Sequence, residues 1–304
     1  MSQSDADFEP RRYAVRHRTA YTYTEPVIAC YERGFLSFRA TPTQRLVSSD
    51  LTVDPEPAIV TERVDWQGNP SHYLEVRGPH TSLTVTKEAL VDVAWPRVDV
   101  AALDRWTLAS AREEIDGSAD PWERATFLLP SPVVGAHPEV TEYARRHLEE
   151  GDGFGTALSR LLHGIRADFE FRSGATNVNT TLPQFLTIGA GVCQDFAHLT
   201  LGALRSVGLV ARYVSGYIET TPPPGQEKME GSDASHAWVS VLTPDGAWVD
   251  LDPTNDHFCD SRYIVTAWGR DYRDVSPLKG VIYTDDDETT SSTLHVGVDV
   301  TRLD

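Results

Sequence analysis

Basic residues, cysteine and long apolar runs are all scarce in this sequence. Its 304 residues hold 27 Lys and Arg against 45 Asp and Glu, a formal charge of −18. Nucleic-acid phosphates are held by clusters of Lys and Arg, and no basic run here would serve, so no nucleic acid is expected as a partner. No apolar stretch approaches the roughly 20 residues needed to span a bilayer, so no membrane association is expected either. Three cysteines, Cys30, Cys193 and Cys259, make an odd count that suits a reducing compartment better than a disulfide framework. The opening Met-Ser-Gln-Ser-Asp-Ala-Asp lacks the basic and apolar regions of a secretion signal. These absences lead to the expectation of a soluble, cytoplasmic protein whose acidity serves solubility. What is present is 40% hydrophobic residues, enough for one large domain or two ordinary ones.

After a polar leader, residues 11–95 alternate with period two. Runs at 13–23, 29–39, 46–53, 59–66, 72–76 and 81–93 are rich in β-formers, and Pro, Gly and Asn separate them. Trp66-Gln-Gly-Asn-Pro reads as a hairpin turn because Gly and Asn tolerate positive φ. Short strands at this spacing predict a β-sandwich. His17, His72 and the Tyr21, Tyr23 ladder read as ordinary strand residues, and Cys30 as a small buried one. From 96 to 155 the pattern turns helical, at 98–114, 121–127 and 138–150, and reads as a connector between two larger parts.

The stretch Gly189-Ala-Gly-Val-Cys-Gln-Asp-Phe-Ala-His-Leu changes the character of the chain. A Gly-rich approach ends at Cys193, and Phe196, Ala197, Thr200, Ala203, Leu204 and Val207 then keep one face apolar at helical spacing. Cys193 is thus expected at a helix N-terminus, where free N–H groups and the dipole favour a thiolate and offer donors to an oxyanion. The plainer reading is a small core residue. An amphipathic helix is expected before it at 157–167, followed by a polar loop at 174–181. After it come β-rich runs at 210–218, 235–242 and 247–255, with a loop at 221–233 that could border a cleft. His236 and Asp252 fall on the last two of these runs, joined by a tight turn. An antiparallel pair would hold them side by side, as a base and the acceptor that fixes its tautomer require. Asp252 is further restricted by Pro253.

Cys193, His236 and Asp252, with the segments GAGVCQDFAHL, SHAWVSV and WVDLDPTND around them, resemble the three signature segments of the transglutaminase-like superfamily in its bacterial and archaeal branch. The segments at 17–26, at Gln67-Gly-Asn and at 269–280 resemble that branch's flanking regions, so the likeness spans most of the chain. It implies an α+β fold: a papain-like core in which a helix bearing Cys193 packs on an antiparallel sheet bearing His236 and Asp252. It also implies a catalytic triad, with Cys193 as nucleophile, His236 as general base and then acid, and Asp252 as its orienter.

The expected organisation is therefore a β-sandwich at 11–95, a helical connector at 96–155, the catalytic core at 156–260 and C-terminal strands at 261–304 that complete a sheet, possibly the N-terminal one. The implied activity is a cysteine peptidase or amidase, or a protein-glutamine acyltransferase, working through a thioester. The acyl donor would be a glutamine side chain or peptide bond of a peptide or protein, and hydrolysis is favoured. An arylamine N-acetyltransferase-like enzyme shares the Cys, His, Asp order, and a non-catalytic binding or scaffold module on the same fold is the other alternative.

Around the triad, Asp195 reads as a capping or dipole partner and His198 as structural. Trp238 is read as a shield for His236 or as core, and Gln184 is considered as a second oxyanion donor. No cofactor or metal is expected. Asp252, Thr254 and Asp256 begin like a calcium loop, but His257 and Tyr263 stand where a Gly and a closing Glu are required. Cys259 and His257 lack the second pair of a zinc site. The acid run at 285–288 reads as solvated.

Overall fold

Alternation in the N-terminal region builds two strands of 24 residues, β1 (Arg11–Gly34) and β4 (Pro70–Val93), which pair antiparallel along most of their length. In the computed structural model, which describes residues 3–220, 235–285 and 290–303, Tyr13, Val15, His17 and Thr19 of β1 point inward. Arg12, Arg16 and Arg18 point out. The loop at 221–233 and most of the acid run at 285–288 lie outside the described residues. The runs read separately at 13–23 and 29–39 belong largely to one strand. A register shift between Thr22 and Val27 takes up Pro26, which has no N–H to give to a ladder. β2 (Gln44–Asp54) and β3 (Ile59–Val64) both pair with β4, on its C-terminal and N-terminal halves. The expected turn joins β3 to β4, with Gly68 at φ 79° and the Asp65 carboxylate accepting from the N–H groups of Gln67 and Asn69. A cluster of Tyr23, Val27, Cys30, Leu74, Val76 and Leu83 draws on both sides of the irregularity and gives this region its own core.

The helical part begins with α1 (Val100–Leu103) and α2 (Leu108–Ser118), where periodicity had suggested one helix. Thr107 splits them: its side chain accepts from the Ser110 N–H, while Ser110 reaches back to the Thr107 N–H, so a new helix starts there. α3 (Pro121–Leu128) and α4 (Pro138–Arg145) both open on proline, where no N–H is needed. α5 (Phe154–Asp168) buries Leu158, Leu161, Leu162 and Ile165 on one side. After β5 (Glu170–Phe171) comes α6 (Leu182–Ile188), a helix the sequence reading did not anticipate. β6 (Ala190–Gly191) then pairs with β5 and leads into α7 (Cys193–Ser206). α7 lies between α4, α5 and α6 and the second sheet, so its residues from Asp195 to Arg205 are all buried.

That sheet runs in the order β10-β9-β8-β7-β11, from β7 (Ala211–Ile218), β8 (Ser235–Leu242), β9 (Trp248–Asp252), β10 (His257–Phe258) and β11 (Tyr263–Gly269). Its pairs are antiparallel. Ala237, Val239, Val241 and Leu251 share the core containing α7. Val214, Trp238, Tyr263 and Val265 share another core with Tyr13, Val15, Val91 and Val300 of the N-terminal sheet. Finally β12 (Leu278–Thr284) pairs with β1 from Val27 to Gly34, and β13 (Ser292–Leu303) pairs with it from Arg12 to Tyr23. Among the described residues the first sheet thus has six strands, and no helix is long and apolar enough to cross a membrane.

β11 is the edge strand beside the N-terminal region, and two side-chain amides pair its backbone in place of another strand. Gln44 accepts from the Val265 N–H at 2.7 Å and donates to the Val265 carbonyl at 2.8 Å. Asn69 does the same for Trp268, at 3.0 and 2.8 Å. An unpaired buried backbone group costs about 1–3 kcal/mol. Gln44→Met keeps the volume and removes the acceptor of the Val265 N–H, while the Val265 carbonyl keeps the Arg39 N–H at 3.4 Å; it is therefore expected to lower the unfolding free energy by about 1–3 kcal/mol, read from the urea midpoint at unchanged slope.

Candidate active site

Gly189, at φ 70°, ends α6 in the left-handed conformation. The chain then runs through β6 and turns at Val192 into α7, so Cys193 is the first helical residue and is half-buried. The first N–H groups of a helix have no partner within it, and those at Cys193 and Gln194 belong to this turn. Asp195 takes the capping part expected of it. Its Oδ2 accepts from the Val192 N–H at 2.9 Å and from the Thr176 hydroxyl at 2.6 Å. Burial, opposed by these bonds, raises its carboxyl above the ordinary range. His198 faces away from the thiol: its Nε2 accepts from the Tyr272 N–H, and burial lowers its imidazole to about 4.

In β8 and β9, Val239 lies opposite Leu251 and Ser240 opposite Asp250. Continuing that pairing sets Asp252 across from Trp238 and makes His236 its diagonal neighbour, within reach of a long side chain. His236 Nε2–H donates to Asp252 Oδ2 at 2.7 Å. The other ring nitrogen, Nδ1, is left for Cys193, which lies near enough to His236 to act on its protonation. Burial alone would lower the imidazole. The charge and hydrogen bond of Asp252 outweigh it and, with a further contribution from Cys193, raise His236 to about 10.

Asp252 is fully buried and its two oxygens meet five protein donors. Oδ1 accepts from the N–H groups of Thr254 and Asn255, at 2.8 and 3.2 Å. Oδ2 accepts from His236, from Asn255 Nδ2 at 2.7 Å and from the Tyr263 hydroxyl at 2.6 Å. Burial would raise this carboxyl, but the His236 charge and these donors hold it well below the usual range. Among the described residues, no group of three or more His, Cys, Asp and Glu is arranged to hold a metal ion.

Trp238 both packs in the core and covers the base. Its ring is stacked on His236 with centroids 6.1 Å apart, and its Nε1–H donates to Asp250 at 2.7 Å. Gly216 pairs with His236 across β7 and β8, and a Cβ there would lie 2.0 Å from the Ile264 carbonyl oxygen and 2.5 Å from the Trp238 ring. Gln184 is engaged elsewhere: its Oε1 accepts from the N–H and hydroxyl of Thr181, capping α6. The sequence reading missed Gly216, Asn255 and Tyr263. Thr-Asn directly after Asp252-Pro is a local signal for a turn that folds back on the carboxylate. Gly216 and Tyr263 carry no such signal.

The pair makes stability depend on pH at both ends. Asp252 is depressed, so its contribution is present above the ordinary carboxylate range and is lost as pH falls through the lowered value. His236 is raised, so its contribution is whole below about 6.5 and is lost as pH rises toward about 10. The urea midpoint is therefore expected to decline between pH 6.5 and 10, and His236→Ala to flatten that decline. An equal decline in the variant would assign it to other groups.

Residues 13–92 match the family model of the bacterial transglutaminase-like N-terminal region, and residues 142–253 match that of the transglutaminase-like superfamily. An uncharacterized protein of Mycobacterium tuberculosis is 43% identical over 95% of this chain and 92% of its own length. One from Mycobacterium leprae is 33% identical over 96% of this chain and 99% of its own. The crystal structure of a candidate cysteine protease from Cytophaga hutchinsonii superposes with a TM-score of 0.78, covering 97% of this chain and 92% of that one at 20% sequence identity. At that identity the likeness is one of fold.

Proposed function

The chain belongs to the transglutaminase-like superfamily, and from that membership and the geometry of the site we propose that it is a thiol enzyme acting on amide bonds. The observation that carries the reading is the His236–Asp252 hydrogen bond of 2.7 Å, with Cys193 near the same imidazole at the first turn of α7. In the proposed reaction the Cys193 proton already rests on His236, and the thiolate attacks the acyl carbon. The carbon–nitrogen bond breaks, His236 returns the proton to the leaving amine, and a thioester remains on Cys193. The backbone N–H of Cys193 is positioned as a donor to the developing oxyanion. Water or an amine then attacks the thioester and frees the thiol.

We place hydrolysis first, which makes the protein a cysteine peptidase or amidase, and transfer to an amine second. The donor is a glutamine side chain or a peptide bond of a peptide or protein. Three free thiols support a reducing, cytoplasmic setting. The test incubates the protein with a glutamine-containing peptide library, with and without a primary amine, and follows intact mass. An acyl adduct on Cys193 that resolves to acid in water, or to amide when the amine is present, is expected. If no adduct forms and no substrate is consumed in a Cys193-dependent way, the reading is wrong.

A further inference from the structure

Tyr263 opens β11 and is fully buried. Its hydroxyl donates to Asp252 Oδ2 at 2.6 Å. Its ring meets Trp238 edge-on at 5.4 Å and leans on His236 at 6.0 Å. One side chain thus touches the base, the ring stacked on the base and the carboxylate that orients it. Asn255, exposed in the turn after Asp252, reaches the same oxygen through Nδ2 at 2.7 Å. We propose that Tyr263 and Asn255 are positioning residues that lock Asp252 Oδ2 against His236 Nε2, and that the N-terminal region acts on the site through Tyr263.

The inference rests on the triad reading above and adds to it. A carboxylate turns about two single bonds, so one hydrogen bond to an imidazole does not fix the angle at which it accepts. Three donors converging on one oxygen from β8, β11 and the intervening turn do fix it. An ionised carboxylate only accepts, so the phenol must donate its single proton to Asp252. Burial and the Asp252 charge hold that phenol well above its ordinary value, so it stays a donor at working pH.

Tyr263 is itself placed by the N-terminal region. Its carbonyl accepts from Trp95 Nε1–H at 3.0 Å, and two residues on Gln44 bonds Val265 through both backbone groups. Other titratable groups near Tyr263 and Asp252 are His236 on β8, Asp250 on β9, His257 on β10 with its Nε2 3.4 Å from the phenol, and Cys259 and Asp260 just before β11.

The test is the pH profile of Cys193 alkylation by iodoacetamide in wild type, Tyr263→Phe, Asn255→Ala and His236→Ala, beside their melting temperatures. Without the phenol, the Asp252 carboxylate is free to turn away from His236 Nε2 and supports the imidazolium less. The acid limb of the profile is expected to move up by about one pH unit in Tyr263→Phe, a roughly tenfold rate loss on that limb, and by less in Asn255→Ala. On a peptide substrate, kcat should fall while KM holds. Superimposed profiles with a lowered melting temperature would make Tyr263 a packing residue and overturn the proposal. If Tyr263→Phe does not fold, the exposed Asn255→Ala decides alone, and an unmoved limb overturns it. If His236→Ala also matches wild type, the triad reading itself has failed. If His236→Ala alone departs from wild type, the triad stands and only this proposal falls.

Discussion

His236→Ala is expected to slow alkylation of Cys193 at pH 6 by about 100-fold. An ordinary thiol, with a pKa near 8.5, is only ~0.3% ionised at that pH. With the imidazole in place the thiol proton has a neighbouring acceptor, one raised to about 10 by Asp252 and Cys193. Two cysteines in the same chain serve as controls. Burial and the nearby Glu32 push the Cys30 thiol up to about 11, and burial with the acids Asp250 and Asp252 pushes up that of Cys259. Both should label slowly and stay indifferent to His236. Mass spectrometry of peptides carrying each cysteine, sampled over minutes to hours, reads all three rates in one experiment. Equal rates for Cys193 in the two proteins would remove His236 from the chemistry, and with it the enzyme reading.

Asp252→Ala is expected to act on folding and catalysis together. It leaves His236 Nε2, the Tyr263 hydroxyl, Asn255 Nδ2 and two backbone N–H groups without their shared acceptor. Breaking a buried charged pair from one side costs about 3–5 kcal/mol. Turnover should fall by about 10⁴-fold, the size of effect seen when the orienting member of a triad is lost. Asp252→Asn separates the two effects. It keeps the volume and one accepting oxygen, so most of the stability should return, while its amide cannot accept from Nε2–H on the same face as Tyr263. Chemical denaturation and peptide turnover measured on the same preparations distinguish the outcomes. Wild-type turnover in a destabilised Asp252→Ala would place the orienting group elsewhere.

How much of this was legible beforehand depended on how local the cause was. Cys193 was readable as a helix start because the Gly-rich approach and the apolar spacing that follow each other there are both contiguous. The helix α6 was not: it is short, and its signal is the Thr181 and Gln184 capping box, whose Gln was only considered, as a second oxyanion donor. The length of β1 was hidden because Pro26 looks like a strand end, and only pairing with β4 on both sides of it shows a bulge. Tyr263, Gln44 and Asn69 carry no local mark. Gln44 and Asn69 find their backbone partners 221 and 199 residues away, and no spacing rule reaches that far. The fold class, and the placing of Cys193, His236 and Asp252 at a helix start and on neighbouring strands, followed from local pattern and family resemblance. The network that holds them in place came only from the assembled chain.

The pairing of β13 with β1 sets an order of events during biosynthesis. Thr24 and Ser291 bond to each other across 267 residues of sequence. At translation speeds of about 5–20 residues per second, the partner of the first strand is made roughly 13–50 seconds after that strand. Cys193, His236 and Asp252 have all been synthesised by then. For that interval β1 carries an open edge, the kind of surface that recruits strands from other chains. A nascent chain that stalls before residue 292 therefore carries Cys193, His236 and Asp252 together with an exposed, adhesive edge. Slow elongation in this last stretch would show as aggregates enriched in truncated chains.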